Sequence, residues 1–263
     1  MLTVRKVVLR PIDQPAVGLE AESICPDIFA GKASDRISEL PIWRGNRKVA
    51  LGDHFEVEGR AGSIAGRTRI VIEGDVARTK RLGQGMTGGE LVVRGTAGMH
   101  TGSSMSGGRL EVEGDCGDWA GMAMKGGELV IQGSAGHHLG AAPPGDWTGM
   151  TGGRIEVAGD CGVEAGAWMA GGTLIVRGTT GFFLGVHMQK GEIVARACPR
   201  RVGGEMRGGL IVILGPVHVL PSFVPDGAVD DVDIAGERLS GPFARYSGDV
   251  TEKGKGTLFV REG

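Results

Sequence analysis

No long run of like charge breaks the sequence of this 263-residue chain, whose formal net charge is -2. That balance argues against electrostatic capture of nucleic acid or of a membrane surface. The short basic groups Arg78–Arg81 and Arg200–Arg201 read as solvated turns. No apolar stretch approaches the roughly 18 residues of a membrane span, and the N-terminus lacks a signal-peptide pattern. A soluble cytoplasmic protein is therefore expected. Cysteine is sparse, at Cys25, Cys116, Cys161 and Cys198. No pair has the two-residue spacing of a zinc or iron–sulfur site, so no metal is expected on this chain. There is no P-loop. Gly83–Gly88 (GQGMTG) matches the dinucleotide-binding pattern only in form. A strand, ELVVRG, follows it where a helix N-terminus should meet the pyrophosphate.

What the chain has in excess is glycine, 50 of 263 residues. The glycines do not fall every third residue, so collagen is excluded. They return at fixed offsets inside a repeat: a short strand, Gly-x-x-Gly, then a Met-x-Gly-Gly-like ending. Aligned after the terminal glycine pair, the repeat begins at Glu90, Arg109, Glu128, Arg154, Thr173, Glu192 and Leu210, at intervals of 19, 19, 26, 19, 19 and 18 residues. The 26 is one period plus a seven-residue insertion, Ala141–Trp147 (AAPPGDW). A fixed period of this kind signals a stacked repeat architecture. Solenoids grow by adding coils, so length sets no domain count.

Each repeat opens with alternation, as in ELVVR, RLEVE, ELVIQ and RIEVA, and the second and fourth positions are apolar. Period two marks a strand with one buried face. His54–Gly59 and Arg69–Gly74 fit the same template and bring the strands to nine. Glycine interrupts too often for strand–helix–strand crossovers. The expected fold is all-β, a right-handed parallel β-helix with three short faces per coil. Outward positions Arg69, Glu90, Arg109, Glu128 and Arg154 alternate in sign down the stack. Opposite charges on adjacent strands contribute about 0.2–1 kcal/mol each, and a one-residue slip would break both patterns.

Two inward columns follow. Methionine stands two before the glycine pair at Met86, Met105, Met124, Met150, Met169, Met188 and Met206, seven of the ten methionines. A copper(I) site is one reading, but an adaptable core filler is preferred. The second column is small: Ala97, Cys116, Ala135, Cys161 and Thr180. Cys116 and Cys161 lie two coils apart, ~10 Å at the strand spacing, beyond disulfide reach, and are expected to be reduced and buried. His100 and His138 share a repeat offset with Trp119 between them, again too far apart to share a metal. No nucleophile constellation is legible, and the carboxylates sit at outward positions as solvated ion pairs.

Stack ends expose strand edges and need covering. Residues 1–53 are read as an N-terminal cap with a short helix near Ser34–Leu40, 54–214 as the β-helix, and 215–263 as a C-terminal extension with a last strand near Thr257–Arg261. The candidate functional residues belong to an interface rather than to an active site. The insertion should protrude, and Pro143, Pro144 and Trp147 with Trp119, Trp168, Phe182 and Phe183 supply anchors of the type enriched in interfaces.

Gly45–Gly59 (GNRKVALGDHFEVEG), Thr79–Gly95 (TKRLGQGMTGGELVVRG), Gly145–Gly153 (GDWTGMTGG) and Gly203–Gly209 (GGEMRGG) resemble the C subunit of formylmethanofuran dehydrogenase, over nearly the whole chain. The coils alone resemble the C-terminal glycine-repeat domain of the glutamate synthase large subunit. The C subunit of the bacterial formyltransferase/hydrolase complex is also similar, with a poorer match at GNRKVALGD. The resemblance implies a non-catalytic β-helix subunit of an oxidoreductase complex that reduces CO2 to formate and condenses it with methanofuran. It implies tungsten- or molybdenum-pterin, iron–sulfur clusters and zinc on other subunits, and pterin-binding and amidohydrolase-like partners. No catalytic, cofactor-binding or metal residue is carried over to this chain. The alternatives are a formyltransferase/hydrolase subunit in one-carbon oxidation and a stand-alone carbohydrate-active β-helix enzyme.

Overall fold

The computed structural model describes residues 4–262. Each alternating segment forms a strand. Thr68–Glu73, Glu90–Arg94, Ser106–Val112, Gly126–Ile131, Arg154–Val157, Ala170–Thr179, Lys190–Ala197 and Leu210–Ile213 pair in parallel, in chain order, within a thirteen-stranded sheet. The register is that of the repeat: Glu90 faces Arg109, then Glu128, Arg154, Thr173, Glu192 and Leu210 follow. Leu91, Val93, Leu110, Val112, Leu129 and Ile131 point inward and are wholly buried. A second ladder of single parallel bridges runs Val76–Ala97–Cys116–Ala135–Cys161–Thr180, where small side chains let backbones approach. Elsewhere along the repeat, Gly102 N donates to Leu82 O (2.8 Å), Gly121 N to Thr101 O (2.9 Å) and Gly140 N to Ala120 O (2.8 Å). Successive repeats are thus bound at three places, and the chain is all-β with one large, mostly parallel sheet.

The methionine row is a packing device shared between neighbours. All seven of its methionines are wholly buried. A Cβ added at Gly108, Gly127, Gly153, Gly172, Gly191 or Gly209 would stand 2.6–2.9 Å from the Cε of the preceding repeat's methionine. Those glycines also have φ between 78° and 102°. The glycine that closes each repeat is therefore required twice, by backbone conformation and by the methyl packed against it. The cysteines are free and buried, and burial pushes the Cys116 and Cys161 thiols up to about 12.

Several expectations are corrected. Phe55–Gly59 does not continue the parallel stack. It pairs antiparallel with Arg5–Pro11, which takes the place beside Thr68–Glu73. Only residues 60–67 link Phe55–Gly59 to Thr68, and a parallel crossover needs about a dozen residues or more. Arg5–Pro11 instead supplies two wholly buried inward residues, Val7 and Leu9. The charge ladder is also partial. Arg69 lies 3.2 Å from Glu90, and Arg109 binds Glu128. Arg154 turns away from Glu128, towards Glu156 (3.0 Å) and the Ala235 carbonyl (3.1 Å). The helix at Ser34–Ser38 ends before Leu40, because Pro41 opens a strand and disfavours helical backbone at the residue before it.

At the far end Gly256–Arg261 pairs in parallel with Leu210–Ile213, and the antiparallel hairpin Val224–Ile234/Glu237–Gly248 continues from it. This hairpin folds back on the outer face of the sheet. Val232, Ile234 and Phe243 cover Ile175, Val194 and Val212 in a second, separate core. Among the described residues no helix is long and apolar enough to cross a membrane.

Candidate interaction surface

The turn before six of the seven methionines holds three residues in the left-handed region at alternate positions, as at His100, Gly102 and Ser104 with φ of 61°, 69° and 56°; before Met150, where the insertion falls, His138 and Gly140 keep the pattern. The middle one is always glycine, because its Cβ would point into the core. At Gly166 and Gly185 it would stand 2.8 Å from Ile193 Cδ1 and Ile211 Cδ1. The flanking residues point outward and carry side chains. One outward row is His100, Trp119, His138, Glu164, Phe183 and Arg201, with φ of 58–65°. The other includes Ser104, Ala123, Trp168, His187 and Glu205, with φ of 53–59°. Such backbone costs of order 1–3 kcal/mol per non-glycine residue and persists where neighbours enforce it. Hydrogen bonds to the next repeat do so here, among them Trp119 N to His137 O (2.8 Å) and Trp168 N to Val186 O (2.9 Å).

The stacked rows bring aromatic rings into register. Trp119 and His138 lie 4.0 Å apart at 17°, and Trp168 and His187 3.9 Å apart at 15°. His100 stacks on the other side of Trp119 at 6.3 Å. Desolvation, then the Arg81 and Lys80 charges, push the His100 imidazole below its usual range. Its Nδ1 is buried without a hydrogen-bond partner. His138 Nδ1 lies 3.4 Å from Glu164, and His187 Nδ1 3.5 Å from Glu205. Among the described residues, no group of three or more His, Cys, Asp or Glu is arranged to hold a metal ion.

Five of the seven candidate residues meet. Trp119, Pro143, Pro144, Trp147 and Trp168 line one cleft of about 210 Å³. Phe183 lines the neighbouring cleft, with the Arg201 guanidinium 5.3 Å above its ring. The insertion bends along the surface. Trp147 packs edge-on to Trp168 at 4.9 Å and its carbonyl accepts from Gln189 Nε2 (3.0 Å), yet the indole stays 66% exposed. Phe182 is 47% exposed and does not line the cleft. Sequence reasoning overlooked Glu164, His187 and Glu205. The 19-residue step from Trp168 to His187, repeating that from Trp119 to His138, was the available signal.

No protein-family model matches the chain. Over 254 residues, 93% of this chain and 92% of the relative, it is 50% identical to the C subunit of the tungsten-containing formylmethanofuran dehydrogenase 2 of Methanococcus maripaludis. It is 48% identical over 98 residues to the like-named subunit from Methanothermobacter thermautotrophicus, 37% of this chain and 36% of the relative. In that match the chain spans about a third of the relative's length. With the C subunit of the molybdenum-containing formylmethanofuran dehydrogenase 1 of Methanosarcina barkeri it shares 43% over 95 residues, 36% of this chain and 32% of the relative. A chain in the crystal structure of the formyltransferase/hydrolase complex from Methylorubrum extorquens, in complex with methylofuran, superposes with a TM-score of 0.86 at 30% identity. The superposition covers 97% of this chain and 100% of that one. The chain belongs to the family of formylmethanofuran dehydrogenase C subunits.

Proposed function

We propose that this chain is a non-catalytic scaffold subunit of a formylmethanofuran dehydrogenase complex, holding catalytic subunits in fixed relation. The observation that carries the reading is the 50% identity over 92% of the Methanococcus maripaludis protein. The physical basis is a stack of repeats bound at three places each, which we read as a right-handed parallel β-helix. In this reading residues 1–53 and 215–263 close the ends of 54–214. A rod so constrained presents surface side chains at fixed spacing and suits the placing of partners. The complex would work in the cytoplasm, reducing CO2 to formate and condensing it with methanofuran. Pterin-bound tungsten or molybdenum, iron–sulfur clusters and zinc would reside on the pterin-binding and amidohydrolase-like subunits.

Pro143, Pro144, Trp147, Trp119, Trp168 and Phe183 would anchor a partner. Isolating the complex through a tag on this chain tests the reading. The catalytic subunits should co-purify with the native chain and be lost when Ala141–Trp147 is shortened. Unchanged assembly would remove the insertion from the interface. The match to the Methylorubrum extorquens complex favours a second reading, membership of a formyltransferase/hydrolase assembly. A formyltransferase among the co-purified subunits, in place of a pterin-binding one, would select it.

A further inference from the structure

The two outward rows flank a groove whose floor is Ala141, Ala167 and Val186. It opens as two adjoining clefts of about 210 Å³ each, the first at Trp119–Trp168 and the second at Phe183–Thr251. The same three side chains occur twice along it. Trp119, His138 and Glu164 follow one another in successive repeats of one row, and Trp168, His187 and Glu205 in the other. In both, indole stacks on imidazole and the imidazole Nδ1 meets the carboxylate at 3.4 or 3.5 Å. Among the described residues, no lysine or arginine pairs with Glu164 or Glu205. Their side chains remain 41% and 55% exposed. The groove is acidic, since Asp146, Glu164, Glu205 and Asp249 line it against the single guanidinium of Arg201. Asp249 is already engaged by Thr251 and the Glu205 amide, and Asp146 accepts the Trp147 amide (2.8 Å), which leaves Glu164 and Glu205 as the available anionic pair.

We propose that an extended basic segment of a partner subunit lies along this groove and sets two arginine or lysine side chains, three residues apart, on Glu164 and Glu205. The spacing follows from the stack. The two carboxylates are two repeats apart, ~10 Å at the strand spacing, and three residues of extended chain cover the same ~10 Å. Residues three apart on an extended chain also point to opposite sides, and the two glutamates stand on opposite walls. The aliphatic stems of such side chains cover the Ala–Val floor while their charged heads reach the rims. Arg201 over Phe183 already shows a guanidinium resting against this wall. Carboxylates that no lysine or arginine of the described residues meets are free to take a permanent cation.

The proposal rests on the scaffold reading, because it names what the scaffold grips. The test uses the intact complex immobilised through this chain and reads the salt concentration that releases the partner subunits. E164Q/E205Q should release them at a several-fold lower concentration. E164D/E205D, which keeps the charges, and E113Q, on a different surface, should match the native chain, with melting temperatures measured for each. In parallel, the peptide acetyl-Arg-Ala-Ala-Arg-amide should displace partners from the native complex at lower concentration than acetyl-Arg-Ala-Arg-amide or acetyl-Glu-Ala-Ala-Glu-amide. An unchanged release point for E164Q/E205Q, or equal potency of the three peptides, overturns the groove proposal and leaves the scaffold reading standing. If the native chain retains no partner at any salt concentration, the scaffold reading falls and takes the groove proposal with it. A low melting temperature for E164Q/E205Q would leave the peptide series as the deciding arm, since it uses only the native chain.

Discussion

Within one turn, left-handed residues do opposite work depending on which way they point. At Gly166 the Cβ direction leads into the core, against Ile193, and only glycine fits. Two residues to either side, at Glu164 and Trp168, the same backbone (φ 59° at both) points outward and carries large side chains. The inner positions tolerate no side chain because the interior is packed to contact. The outer positions tolerate any that can bear the strain, so different side chains occupy them from repeat to repeat. Conformation is therefore shared between core and surface, while chemistry is divided between them.

That division can be attacked first where packing is densest. Met150→Ala should cost about 2–5 kcal/mol, because its methyl is wedged beneath the Gly172 backbone and the repeats cannot close the cavity. Urea unfolding would measure it, and a loss below about 1 kcal/mol would show that the row is loosely packed. Gly166→Ala should cost about 3 kcal/mol from strained backbone and overpacking together. Thermal unfolding followed by circular dichroism would report it as a lowered melting temperature.

The interior column offers a pH test. Burial holds the Cys116 thiol protonated up to about 12. An unfolded thiol ionises near 8.5. The unfolded chain therefore loses this proton first, so the stabilisation is complete below about pH 8.5 and falls by about 1.4 kcal/mol per pH unit above it. Urea midpoints at pH 7, 9 and 10 should drop less for C116A than for the native chain, and identical slopes would contradict a dry column. Alanine is compatible with the site, since Ala97 and Ala135 occupy the same ladder. The smallest effect belongs to the outer row. Glu205→Gly relieves left-handed strain but frees the unfolded chain, so stability should fall by no more than about 0.5 kcal/mol. A large loss on calorimetry would mean that the row is structural after all.

Much of this was legible in the chain. Repetition of Leu91/Val93 and its equivalents placed the inward face, and the glycine offsets placed the turns. The methionine row was visible, but not that each Cε packs against the next repeat's glycine. The three tryptophan candidates proved to share one cleft, because residues at related offsets are brought together by stacking. What was hidden came from partners distant in sequence. The exchange of Phe55–Gly59 for Arg5–Pro11 depends on a short connection rather than on a pattern. The apolar third positions Ile175, Val194 and Val212 hinted at a covered outer face, yet the covering hairpin carries no repeat. Asp75, Asp115 and Asp160, read as solvated, are exposed and also accept the amides of Thr96 (2.8 Å), Ser134 (2.7 Å) and Thr179 (2.7 Å) in neighbouring repeats.

The sequence alone determined the period, the buried face of each strand and the glycine-only turn positions, because each depends on residues fewer than twenty apart. Tertiary structure decided which segments pair at the edges of the large sheet, that a hairpin covers part of it, and that two outward rows flank one acidic groove. Those outcomes depend on competition among distant segments for the same edges and faces, and no local periodicity encodes the winner.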